Sequence, residues 1–113
     1  MHVLRLPALL LTLATAACAS NPSPNEPAGA SVIVDNRSSL IMDIYLRRRD
    51  QAPTRLGFAP ANEKTRFAIS PALVAGAGLV QFEARPSRVG EPTFSDLLSV
   101  GPGDELTWVI PPQ

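Results

Sequence analysis

Leu79-Val80-Gln81-Phe82-Glu83-Ala84-Arg85 is the stretch whose pattern decides the fold. Val80, Phe82 and Ala84 alternate with Gln81, Glu83 and Arg85. Successive side chains of a strand point to opposite faces, so this is a strand with one apolar and one polar face. A helix would gather its apolar residues along one stripe, whereas here apolar and polar residues alternate strictly from Val80 to Arg85.

Toward the C-terminus, Pro86–Pro92 is a loop, and Thr93–Val100 is a further strand with Leu98 and Val100 inward. Pro102-Gly103-Asp104 makes a tight turn. Glu105–Ile110 then turns Leu106, Trp108 and Ile110 inward, and two prolines end it. Toward the N-terminus, Ser70-Pro71 caps and starts one helical turn through Val74, since proline suits the first helical position. Ala75–Gly78 closes that turn. Glu63–Ile69 offers Thr65, Phe67 and Ile69, and the turn Pro60–Asn62 links it to Thr54–Ala59, with Leu56 and Phe58 inward. Leu40–Arg48 places Met42, Ile44 and Leu46 on one face, with Asp43, Tyr45 and Arg47 opposite. Ser31–Asn36 places Val32 and Val34 together. The short link Asn36–Ser39 predicts that these two runs pair as an antiparallel hairpin.

About seven short strands at even spacing, with no long helix, predict an all-β domain: a single antiparallel β-sandwich. An immunoglobulin-like or transthyretin-like Greek key is preferred over a small closed barrel. Trp108 and Phe82 are the largest expected core fillers.

The chain opens with Arg5, an apolar run from Leu6 to Ala17, and small residues ahead of Cys18. These are the parts of a secretory signal peptide. A helix rising ~1.5 Å per residue over so short a run does not cross roughly 30 Å of hydrocarbon. Residues 1–17 are therefore expected to be a cleaved signal peptide. Ala14-Thr15-Ala16-Ala17-Cys18 resembles the bacterial lipobox, in which the cysteine is acylated and becomes the new N-terminus. The alternative is ordinary small-x-small cleavage, which leaves Cys18 as a free thiol. Acylation would anchor the chain to a membrane permanently. By resemblance to lipoprotein sorting, Ala19 points to the outer membrane, with the domain facing the periplasm. Residues 18–30, rich in proline, serine and asparagine, form a flexible spacer of ~3.1 Å per residue. The domain proper is residues 31–113.

Of ten basic residues, loss of Arg5 leaves nine, against ten acidic ones. A near-neutral balance argues against nucleic acid as a partner. The sole histidine, His2, leaves with the leader, so the mature chain has no imidazole for base catalysis or metal ligation. A serine–lysine pair would have to use Lys64, beside Glu63. Carboxylate chemistry would draw on Asp43, Glu83, Asp96, Asp104 or Glu105, all expected at outward or turn positions. Asp104-Glu105 lacks the spaced oxygen ligands of a calcium loop. No enzyme activity, cofactor or metal is expected.

Arg47-Arg48-Arg49 is the one local concentration of charge. With Tyr45 it is the candidate partner-binding cluster, suited to lipopolysaccharide phosphates, anionic lipid or an acidic protein. The simpler reading, which we weight more heavily, is a solvated strand end whose cations discourage edge pairing. Ile41, Tyr45 and Val109 are candidates for an outer contact patch.

Val32-Ile-Val-Asp-Asn36, the Tyr45-Leu46 strand, Arg55-Leu56-Gly57 and Val100-Gly-Pro-Gly-Asp104 resemble small bacterial lipoproteins of β-sandwich type that carry no assigned function. The resemblance implies a fold and a membrane anchor and brings no active site. It leaves a non-catalytic binding or structural module, contacting an envelope protein or surface glycan, as the leading expectation. An accessory subunit of a secretion or transport complex is second, and a carboxylate-only hydrolase third.

Overall fold

Period-two apolar alternation becomes strand almost everywhere it occurs, in a computed structural model that describes residues 28–75 and 78–113. The expected signal peptide, Cys18 and most of the expected spacer lie outside the described residues, as do Gly76 and Ala77 of the expected helix closure. The elements are β1 Ala30–Asn36, β2 Met42–Arg48, β3 Thr54–Ala59, β4 Glu63–Ile69, α1 Pro71–Val74, β5 Leu79–Pro86, β6 Thr93–Phe94, β7 Leu98–Ser99 and β8 Glu105–Ile110.

They form two sheets. One runs β4-β1-β8, the other β3-β2-β5-β6, with β7 also on β5. Val32, Val34, Phe67, Ile69, Trp108 and Ile110 of the first sheet share one core with Met42, Ile44, Leu46, Val80, Phe82 and Ala84 of the second. The Phe82 and Trp108 rings stack across it, centroids 6.0 Å apart and planes 21° apart. Offset aromatic pairs at this distance add to the area they bury. Val74 of α1 closes one end of the core. Pro71 occupies the start of that turn as expected, but the Ser70 hydroxyl makes no capping bond.

Four expectations are corrected. First, β1 and β2 do not pair; they lie in opposite sheets. The link between them carries the chain across the core, and the Asn36 side chain organises it. Its Nδ2 donates to the carbonyls of Leu40 (2.8 Å), Ala59 (3.2 Å) and Pro60 (3.1 Å). Its Oδ1 accepts from the Ser38 amide (3.0 Å) and hydroxyl (2.7 Å). Alternation says that each strand has one buried face. It does not say whether a neighbour in sequence lies beside that strand or across from it.

Second, the sandwich is not wholly antiparallel, because β1 and β8 run parallel over Ser31–Asn36 and Glu105–Ile110. Third, Phe58 faces outward, 57% exposed, and Ala59 faces in. The β2–β3 register shifts at Ile44/Tyr45, leaving Leu56 without a partner. One extra residue reverses the alternation beyond it. Gly57 permits the bulge: its φ is +152°, and a Cβ there would lie 2.8 Å from Phe67 Cε1.

Fourth, Thr93–Val100 breaks into two short strands around Ser95. The Ser95 hydroxyl accepts from the Phe82 amide (2.8 Å) and donates to the Asp96 carbonyl (2.8 Å). A side chain thus takes the place of a ladder bond. Gly101–Asp104 turns as expected: Gly103 has φ +80°, and the Asp104 carboxylate accepts from the Gly101 amide at 2.7 Å.

Candidate functional site

β2 and β5 pair in register to the end of β2, Arg47 opposite Gln81 and Arg48 opposite Val80. The strand then stops. Gln51 N–H donates to the Arg48 carbonyl at 3.2 Å, and Asp50 takes φ +59° to close the turn. Aspartate tolerates this left-handed conformation better than most residues. The turn stands beside the end of α1, and between them lies a cleft of about 850 Å³. All three arginines line it, and Leu73, Val74, Leu79, Val80, Leu97 and Val100 give it apolar surface. Leu79 and Leu97 are 54% and 62% exposed, so part of this apolar surface meets solvent.

The three arginines are not equivalent. Arg47 Nη1 donates to Glu83 Oε1 at 2.8 Å, and its guanidinium lies 6.0 Å from the centre of the Phe94 ring. Arg48 donates to the Gln51 side-chain carbonyl. Among the described residues no carboxylate pairs with Arg48 or Arg49. Arg47 therefore builds the wall, while Arg48 and Arg49 present charge to whatever enters.

Tyr45, grouped with the arginines on sequence, lies outside the cleft. It sits on the outer face of the larger sheet, opposite Glu83. The Arg85 guanidinium lies over its ring at 4.1 Å, close enough for a cation–π contact. Glu83, expected outward and solvated, is on that outer face but nearly buried. Arg85 and Arg47 close over it, with Arg85 Nε donating to Oε2 at 2.8 Å. These bonds, Arg85's above all, hold the Glu83 carboxyl below the usual glutamate range against the opposing effect of burial. The same contact raises the Arg85 guanidinium, and the Asp43 carboxylate raises that of Arg55.

The other candidate carboxylates are dispersed. Asp43 bonds Arg55 at 2.9 Å, and Asp104 caps its own turn. Among the described residues Asp50 is the one carboxylate lining the cleft, whereas hydrolysis by paired carboxylates needs two. Lys64 lies on β4 of the other sheet, opposite Asp35. No cluster of three or more His, Cys, Asp or Glu suited to a metal occurs among the described residues. No helix among them is long and apolar enough to cross a membrane.

The apolar lining escaped sequence reasoning. Leu97 falls on the outward parity of the expected strand, and an exposed leucine there was the available signal. Leu79, Leu73 and the arginines come together only through pairing between distant segments.

These features define a two-sheet all-β domain with an arginine-rimmed, partly apolar cleft at one end. No protein-family model matches the chain, no curated protein matches it in sequence, and no solved structure matches its fold.

Proposed function

We propose that this chain is a non-catalytic binding module of the bacterial cell envelope, anchored to the outer membrane by acylated Cys18 and facing the periplasm. Its fold is read as a Greek-key sandwich of immunoglobulin-like or transthyretin-like type. The support is strand order β4-β1-β8 facing β3-β2-β5-β6. Its partner is another envelope protein, which inserts a segment carrying an acidic group beside an apolar side chain. The observation that carries this reading is the pair of arginines, Arg48 and Arg49, uncommitted to any described carboxylate and lining the same cleft as the exposed Leu79 and Leu97. Guanidinium forks suit carboxylates, and an apolar patch beside them supplies affinity that charge alone does not.

The test is crosslinking in living cells with the tagged full chain, followed by mass spectrometry. Arg48→Glu/Arg49→Glu reverses the rim while sparing Arg47, which clamps Glu83. Partner recovery should fall at least about tenfold, the scale set by losing contacts worth ~1.4 kcal/mol. Unchanged recovery would reject the cleft as the contact. Recovery of the chain alone would reject the protein partner and favour a surface glycan. The same spectra read whether Cys18 carries acyl chains, and a free thiol there would reject the anchor.

A further inference from the structure

Sheet edges are places where another chain can add a strand, and proteins guard them with cations, prolines, bulges or short strands. Three of the edges here carry such guards. β4 presents exposed Lys64 and Arg66. β3 carries the bulge at Leu56, which breaks its register. β6 and β7 are two residues each. β8 differs: Glu105–Ile110 contains no proline and no cation, and it keeps unbroken register with β1.

The direction of its free groups can be read from two bonds. Ser31 N–H donates to the Asp104 carbonyl at 2.9 Å, and Arg37 N–H donates to the Ile110 carbonyl at 3.0 Å. Backbone groups alternate sides along a strand, so the even-numbered residues face β1. The N–H and C=O of Glu105, Thr107 and Val109 face away from it, and all three residues are exposed.

We propose that β8 is a self-association edge, and that its occupant is β8 of a second copy of this chain, antiparallel about a two-fold axis through Thr107. The sequence of the strand is complementary to itself in that register. Thr107 meets Thr107 of the second copy, Glu105 meets Val109, and Leu106 meets Trp108. No like charges oppose, and two apolar residues adjoin at the rim of each core. Threonine pairs and apolar cross-strand pairs each stabilise an antiparallel ladder. A two-fold contact of this kind closes on itself and does not propagate into fibres. The two three-stranded sheets become one six-stranded sheet. The chain's own spacer is a poor rival for this edge, because Pro22, Pro24 and Pro27 have no N–H to give to a ladder.

The test uses the full chain in mild detergent. Thr107→Lys and Thr107→Glu each place like charges on the axis. Alone, each variant should have half the mass of the unaltered protein by light scattering. Mixed in equal parts, they should recover the doubled mass, a result that misfolding would not produce. In a Cys18→Ser background, Thr107→Cys should oxidise to a disulfide-linked dimer, because Cα atoms of such a pair lie ~5.5 Å apart, within disulfide reach. Lys64→Cys on the guarded β4 edge should not. A monomeric unaltered chain, a dimer indifferent to both charges, or equal disulfide crosslinking of the Lys64→Cys and Thr107→Cys variants would each overturn the proposal.

Discussion

Asn36 is fully buried and makes its hydrogen bonds entirely within the corner where β1, β2, β3 and β4 meet. Replacing it by alanine takes the Nδ2 donor from the Ala59 and Pro60 carbonyls and the acceptor from the Ser38 amide, while the Leu40 carbonyl keeps the Ser38 hydroxyl. A buried polar group left without its partner costs ~1–3 kcal/mol. We therefore expect Asn36→Ala to lower unfolding free energy by about 2–4 kcal/mol. Urea titration followed by Trp108 fluorescence measures this, and a loss below about 0.5 kcal/mol would show that the knot is not structural. Glu83 makes a prediction in pH. Its folded pKa lies below its unfolded value, so its stabilisation is complete above roughly pH 4.3 and is lost as pH falls through the folded pKa. Glu83→Gln should cost about 1 kcal/mol at neutral pH, since both arginines stay partly solvated, and should flatten the acid limb of the stability profile. An unchanged acid limb would place the sensitive group elsewhere.

At the scale of elements, turn chemistry and side-chain patches decide where strands stop. Gly103 sits at φ +80° in the turn that delivers β8 to the edge of its sheet. Ser95→Ala removes the hydroxyl that serves the Phe82 amide. The expected loss is ~1–3 kcal/mol, together with faster hydrogen exchange at that amide. Slow exchange at Phe82 in the variant would mean that another acceptor takes over. The turns at Pro60–Asn62 and Gly101–Asp104 were legible in the sequence, since their residue types meet specific backbone demands. The break at Ser95 was not. Its cause is a bond to a residue thirteen positions away, and local alternation carries no trace of that.

For the whole molecule, the core and the cleft make opposite demands on stability. Phe82→Ala removes one ring of the stacked pair that joins the sheets, and should cost about 3–5 kcal/mol. Arg48→Glu/Arg49→Glu changes exposed or half-exposed side chains, and should leave unfolding free energy within about 0.5 kcal/mol of the original. Calorimetry separates the two, and a large loss in the double variant would make the arginine run a structural feature. Residue order alone determined the all-β class, the inward faces of β1, β2, β4, β5 and β8, the α1 turn and the lack of any imidazole after His2. Those properties follow from local periodicity and composition, which neighbouring residues carry among themselves. Only the tertiary structure decided that β1 and β2 part company, that β8 runs parallel to β1, and that Phe58 turns outward. It also decided that Glu83 disappears beneath two arginines and that Arg48 and Arg49 overlook an apolar cleft. Each depends on which segments meet across the core or along a sheet. Strand alternation commits one face to burial and leaves the identity of the neighbour open.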